Sequence, residues 1–159
     1  MGEERDRQRY PARPKRLDWV YGETPLYFVT SCTHGRAPLL ARAVAHEAFL
    51  VAAGKVSEAG NAVGRYVLMP DHMHVFLRIG RGGRLGLAVK CLKEGITKRL
   101  REEFPDLTVW QPGFIDHVLR SAESYAAKWA YVRENPVRAG LLARADEWPY
   151  QGEVVALAW

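Results

Sequence analysis

Cysteine is scarce in this chain: Cys32 and Cys91 are the two examples in 159 residues. With no CxxC spacing and no partner cluster, they suggest neither a disulfide framework nor a thiolate zinc site, and both are expected as buried, reduced thiols. Long apolar runs are missing too. No stretch approaches the roughly 20 residues that a membrane span needs, and the opening MGEERDRQRYPARPKR is polar where a signal peptide would carry an apolar core. A cytoplasmic protein without a membrane partner is expected. Acidic charge is in the minority. The net charge of +5 and sequence pI near 9.4 favour an anionic partner such as nucleic acid.

What is present is enough apolar material, 48% of residues, for one well-packed domain, placed over residues 17–159. Residues 1–16 hold six basic side chains against three acidic ones, with two prolines, and read as a basic flexible arm. The segment LYFVTSCT (26–33) is β-branched and aromatic, which fits a first strand. A helix is predicted over 44–60, ending at Gly60. The runs at 62–70 and 74–79, separated by a Pro-Asp turn, signal a hairpin. Leu85, Val89, Leu92, Ile96 and Leu100 recur at helical spacing across 85–104, with a mostly basic outer side. LTVWQ (107–111) reads as the fourth strand, and 121–136 as a helix that opens at Ser121 and stops at Pro136. The order predicts an α+β fold: a ferredoxin-like βαββαβ antiparallel sheet with helices on one face, plus an additional C-terminal helix.

The chemistry concentrates in PDHMHVFLRI (70–79). Residues two apart on a strand share a face, so His72 and His74 project together while Met73 points away. Two imidazoles side by side can hold one divalent metal, although such a pair by itself is also what an ordinary strand edge presents. The last helix adds a second element. Helical periodicity sets Ser124, Lys128, Tyr131 and Asn135 along a polar stripe, with Tyr125, Trp129 and Val132 on an apolar one. Tyr125 reads as a core aromatic. Tyr131 lies one turn from Asn135, whose amide oxygen is a hard ligand, and Asn135 fits equally well as a helix-ending residue before Pro136. Phosphoryl transfer needs an oxygen nucleophile, a cation on the non-bridging oxygens and help for the leaving oxygen. Tyr131, a metal on His72, His74 and Asn135, and water satisfy that list. Lys128 either acts on the phenol and the phosphate or is a solvated helix lysine.

The segments YVLMPDHMHVFLRI, VWQPGFIDHVLR and YVRENPVRAGLL, with PLYFVTSCTHGRAPLLA before them and ADEWPY after, resemble the HUH single-tyrosine transposases of the IS200-like superfamily, specifically the REP-associated tyrosine transposases. The likeness runs from about residue 20 to about residue 150. It implies that His72 and His74 flank the bulky Met73 as the histidine pair, that Asn135 is the third ligand of Mg2+ or Mn2+, and that Tyr131, carried on the C-terminal helix, is the nucleophile. It further implies cleavage of single-stranded DNA at or near repetitive palindromic hairpins through a 5′-phosphotyrosine, with rejoining by the reverse attack, in a nucleoid-associated monomer (related insertion-sequence enzymes are dimers). Arg78, Arg81, Arg84, Lys90, Lys93, Arg101 and Lys128 then become candidates for contacts to the DNA backbone. Trp110 and Phe114 read as core residues and Trp148 as the aromatic most open to a stacked base. Two further readings stand beside this one: a domesticated protein that binds DNA or RNA hairpins without cutting, and a zinc hydrolase on His72, His74 and His117.

Overall fold

Strand β1 (Leu26–Cys32) lies inside the sheet, with five of its seven residues buried on one sheet face or the other. In the computed structural model, residues 24–157 are described, and the arm expected over residues 1–16 lies outside them. Helix α1 (Ala43–Glu58) follows, then β2 (Ala62–Leu68), β3 (His72–Arg78), α2 (Leu85–Leu100), β4 (Ile115–Val118), α3 (Ala122–Arg133), the one-turn α4 (Asn135–Arg138) and β5 (Gln151–Glu153). The five strands lie in the order β4-β1-β3-β2-β5, with every neighbouring pair antiparallel. This is the predicted α+β architecture: a βαββαβ sheet with two long helices on one face and the C-terminal helix on the other.

Strand alternation sorts the apolar residues into two cores. Tyr27 and Val29 of β1 and Met73, Val75 and Leu77 of β3 face α1 and α2. On α1, Ala45, Ala48, Phe49, Ala52, Ala53 and Val56 recur at helical spacing and are all buried. On α2, Val89, Leu92, Ile96 and Leu100 do the same. The two helices approach closely because Gly95 faces Ala52: a Cβ at position 95 would lie 2.7 Å from that of Ala52. The opposite face holds a smaller cluster in which Leu26, Phe28, Val67 and Phe76 pack against Tyr125 and Val132 of α3, with Trp129 alongside.

The fourth strand is not where the composition put it. Residues 107–111 make one isolated bridge, Thr33 to Trp110, flanked by His34 N–H to Val109 O and Gln111 N–H to Cys32 O. Their apolar content serves burial of Val109 and Trp110 rather than a ladder, and the Trp110 Nε1 donates to Lys93 O and Thr97 Oγ1 of α2. After the Pro112-Gly113 turn, β4 pairs with β1 along Ile115–Val118, a short edge strand whose alternate residues are exposed.

The last helix also departs from expectation. Ser121 caps it as predicted, its hydroxyl accepting from Ser124 N–H at 3.0 Å. It ends at Arg133, however, and not at Pro136. Glu134 keeps right-handed helical angles, and Pro136 falls in the first turn of α4, where no intrahelical N–H is required of it. Asn135 therefore opens a second helical turn instead of closing the first. Trp148 is half-buried against the second core and donates its Nε1 to Leu68 O at 3.0 Å, so it is anchored and not held open. Cys32 and Cys91 are free thiols and only half-buried. Among the described residues no helix is long and apolar enough to cross a membrane.

Candidate metal and tyrosine site

β1 and β3 align with Thr30 opposite His74 and Cys32 opposite His72. Directly opposed residues of an antiparallel pair share a face, so the register delivers both imidazoles to the α3 side. Their ring centroids are 4.8 Å apart at an interplanar angle of 78°. The Nδ1 atom of His72 lies 2.8 Å from Asp71 Oδ1, and that of His74 lies 2.8 Å from Thr30 Oγ1. A carboxylate only accepts, so His72 carries a proton on Nδ1, which leaves Nε2 as the nitrogen that can face a metal. His74 takes the same tautomer when it donates to the Thr30 hydroxyl. Two imidazoles whose Nδ1 atoms are held by outer partners present their Nε2 atoms to a divalent first-row cation, with those partners fixing ring orientation.

The surroundings keep His74 neutral. Burial first, and then the electrostatic influence of His72, Lys128, Arg138 and Arg36, pushes it down to about 3 from an ordinary value of 6.5. Its ring stacks on Phe28, with centroids 5.2 Å apart and planes 19° from parallel, and the Lys128 ammonium sits 5.2 Å from the centre of that same phenyl ring. Lys128 is thus held beside the histidine pair.

Asp71 is in turn held by Arg36, whose Nε donates to Asp71 Oδ2 at 2.9 Å. Burial would raise the Asp71 carboxyl, but its hydrogen bonds with His72 and Arg36 outweigh that and hold it below the usual carboxylate range. Arg36 adopts a left-handed φ of 56°, the only non-glycine residue to do so among those described. That uncommon conformation sits where the side chain turns toward Asp71. Thr33 completes the bracket: its N–H and hydroxyl both donate to the Asp71 carbonyl, at 2.9 and 3.1 Å.

Tyr131 is 64% exposed, an unusual degree for a large aromatic side chain, and lies on the polar stripe, whereas Tyr125 is buried against Phe76. α3 is seated by Tyr125 and Trp129 on Phe76, and by Arg65, which lies over both rings at 5.3 and 5.5 Å while pairing with Glu153 of β5. A cleft of ≈ 470 Å³ opens between β4 and α3, with Tyr131, Lys128, Ser124, Arg120 and His117 among its walls. His117 reaches it because it stands opposite Phe28 in the β1–β4 ladder. Among the described residues, no three His, Cys, Asp or Glu side chains converge to hold a metal, so His117 does not complete a triad with His72 and His74. Asn135 is half-buried, and its Oδ1 accepts from Arg138.

The other predicted cations are dispersed. Lys90, Lys93 and Arg101 line a groove of ≈ 750 Å³ beside α2 with Trp110 and Phe114, on the far side of the sheet from the histidines. There Lys90 pairs with Glu94 at 3.7 Å, Lys93 donates to Gly113 O at 2.6 Å, and Arg101 donates to Leu107 O at 3.0 Å. Arg78 donates to Thr24 O at 2.8 Å, and Arg81 and Arg84 are exposed in the approach to α2. Sequence reading did not single out Arg36, Asp71, Thr30 or Arg138. Asp71 and Arg138 left a signal, one as the carboxylate preceding His72 and the other three residues beyond Asn135. Thr30 required the strand register, and Arg36 required the backbone turn.

A ferredoxin-like sheet with a histidine pair on its central strand and an exposed tyrosine on the helix that covers it defines the class. The family model described as Transposase IS200 like matches residues 25–135, and the chain belongs to that family. It is similar to the REP-associated tyrosine transposase of Escherichia coli K12, 25% identical over 95 residues that make up 55% of this chain and 52% of the relative. A Haemophilus influenzae relative is 24% identical over 94 residues, 52% of this chain and 53% of its own. The chain thus spans about half the length of the curated relatives it matches. Among solved structures it shares the fold of a REP-associated tyrosine transposase bound to a REP hairpin, with a TM-score of 0.68 at 22% identity, covering 82% of this chain and 78% of the other.

Proposed function

We propose that this chain is a metal-dependent single-stranded DNA endonuclease and strand transferase that acts at or near palindromic hairpins, with Tyr131 as nucleophile. The observation that carries the reading is the placement of an exposed tyrosine on α3, the helix packed over the sheet face that presents His72 and His74. In cleavage, the Tyr131 oxygen bonds to the scissile phosphorus as the P–O3′ bond breaks. The phenolic proton goes to solvent, the 3′ oxygen leaves as a hydroxyl, and the 5′ phosphate remains on the tyrosine. Reverse attack by a 3′-OH restores the phosphodiester, so no external energy source is required.

His72, His74 and Asn135 would hold Mg2+ or Mn2+, which when bound supplies Lewis-acid stabilisation of charge on the phosphate oxygens. Thr30 and Asp71 keep the two Nε2 atoms available. Lys128, beside His74 and in the cleft with Tyr131, is the cation best placed to meet the phosphate, and Arg120 and His117 extend the same wall. Arg78, Arg81, Arg84, Lys90, Lys93 and Arg101 would meet stem phosphates remote from the reacting one. The similarity to a protein solved with a REP hairpin supports a hairpin as the substrate form.

The test is incubation of the protein with Mn2+ and hairpin-bearing single-stranded oligonucleotides. The expected product is a denaturation-resistant protein–DNA adduct, absent with Tyr131→Phe and absent in chelator. Hairpin binding without any adduct would instead establish the non-cleaving reading. An adduct that survives Tyr131→Phe would remove Tyr131 from its role.

A further inference from the structure

Arg138 follows Asn135 by three residues and Tyr131 by seven, spacings that bring helical side chains back to one face. Because Glu134 keeps helical angles, that face continues from α3 into α4. The Arg138 guanidinium lies over the Tyr131 ring, 3.9 Å from its centre. Its Nη2 donates to the Tyr131 carbonyl at 2.5 Å and also to Asn135 Oδ1. One cation therefore touches both the nucleophile's ring and the oxygen that Asn135 would offer to a metal.

These two uses of Asn135 Oδ1 oppose each other. An amide oxygen that accepts from a guanidinium and coordinates a divalent ion brings three positive charges together within a few ångströms. We infer that Arg138 competes with the divalent metal for Asn135 Oδ1, acting as an internal cation that keeps the site weak for metal until the guanidinium is drawn away. The partner able to draw it away is a phosphate, which a guanidinium binds through two parallel hydrogen bonds. Arg138 is then a positioning residue: it holds Tyr131 and Asn135 in the resting arrangement and acts on the metal through Asn135. The inference rests on the metal-dependent reading above.

The experiment is a Mn2+ titration of the full chain followed by electron paramagnetic resonance of the free ion, independent of any DNA cleavage. Wild type, Arg138→Met and Arg138→Lys are each measured with Asn135 intact and with Asn135→Ala, and His74→Ala serves as the site control. Arg138→Met should bind Mn2+ about tenfold more tightly, within the usual range for coupled sites, and Arg138→Lys should stay near wild type. Most of the gain should vanish in the Asn135→Ala background. A merely structural role for Arg138 would weaken metal binding on substitution. Unchanged or weaker binding by Arg138→Met, or an equal gain with and without Asn135, overturns the competition while leaving the metal site standing. Mn2+ binding that is absent from wild type and Arg138→Met alike, or indifferent to His74→Ala, overturns the metal reading and the competition together.

Discussion

The two faces of the sheet are made by alternate residues of the same strands, yet they are built for different ends. On one, Tyr27, Val29, Met73, Val75 and Leu77 meet two long helices in a continuous apolar core. On the other, Phe28 and Phe76 support α3, while Thr30, His72 and His74 are left as polar groups beside it. Burying apolar area without polar partners gives stability cheaply in structural terms, whereas each buried polar group needs a designated hydrogen bond. The face packed by α1 and α2 thus carries most of the apolar core, and the α3 face can hold a depressed histidine and an exposed tyrosine because the opposite face secures the fold.

The largest expected effect tests that division directly. Phe49 is fully buried between α1 and the sheet, and Phe49→Ala should cost about 3–5 kcal/mol in urea unfolding. Mn2+ affinity measured in the folded range should stay within twofold of wild type. A large drop in affinity would break the comparison by showing that the site depends on fine packing across the sheet.

A middle-sized effect comes from acid. His74 sits near 3 in the folded chain and near 6.5 unfolded. Above about pH 6.5 both states hold it neutral. As the pH falls from there toward 3, the unfolded chain takes up a proton that the folded chain refuses, so stability declines, by something of the order of a few kcal/mol. Metal-free samples in chelator should show a steeper loss of urea midpoint between pH 6.5 and 4 for wild type than for His74→Gln. Equal slopes would mean that the polar face stores no such penalty.

The smallest effect concerns the helix that carries the tyrosine. Ser121→Ala removes the side-chain acceptor for Ser124 N–H and should cost about 1 kcal/mol. Amide exchange should rise more in α3 than in α1, sharpening the contrast between a covering helix that is lightly attached and one that is part of the core. Uniform change in both helices would argue that the two faces unfold as one.

How much of this was legible in the residues follows the range of the interactions. The hairpin, the two long helices, the Ser121 cap and the shared face of His72 and His74 are local consequences of period and turn chemistry, and all could be read. β4 was misplaced because LTVWQ is apolar for burial against α2, while IDHV, an edge strand, carries half its side chains in solvent. The Arg36 to Asp71 contact joins residues 35 apart through a left-handed backbone step, which no periodicity announces. The basic side of α2 was read correctly as basic, but its helix packs on the face away from the histidines, and that assignment belongs to topology.

The alternation along β3 has a bearing on how such a chain can diverge. Exchange of one side chain for another leaves every residue on its own face, which is compatible with a shared backbone at 22% identity. Insertion or deletion of a single residue at the start of β3 does something else: it turns every side chain beyond it to the other face, taking Met73, Val75 and Leu77 out of the α1 and α2 core to the α3 side and driving the imidazoles into the hydrocarbon interior. Lineages of this fold are therefore free to drift in spelling along the strand, but not in its count.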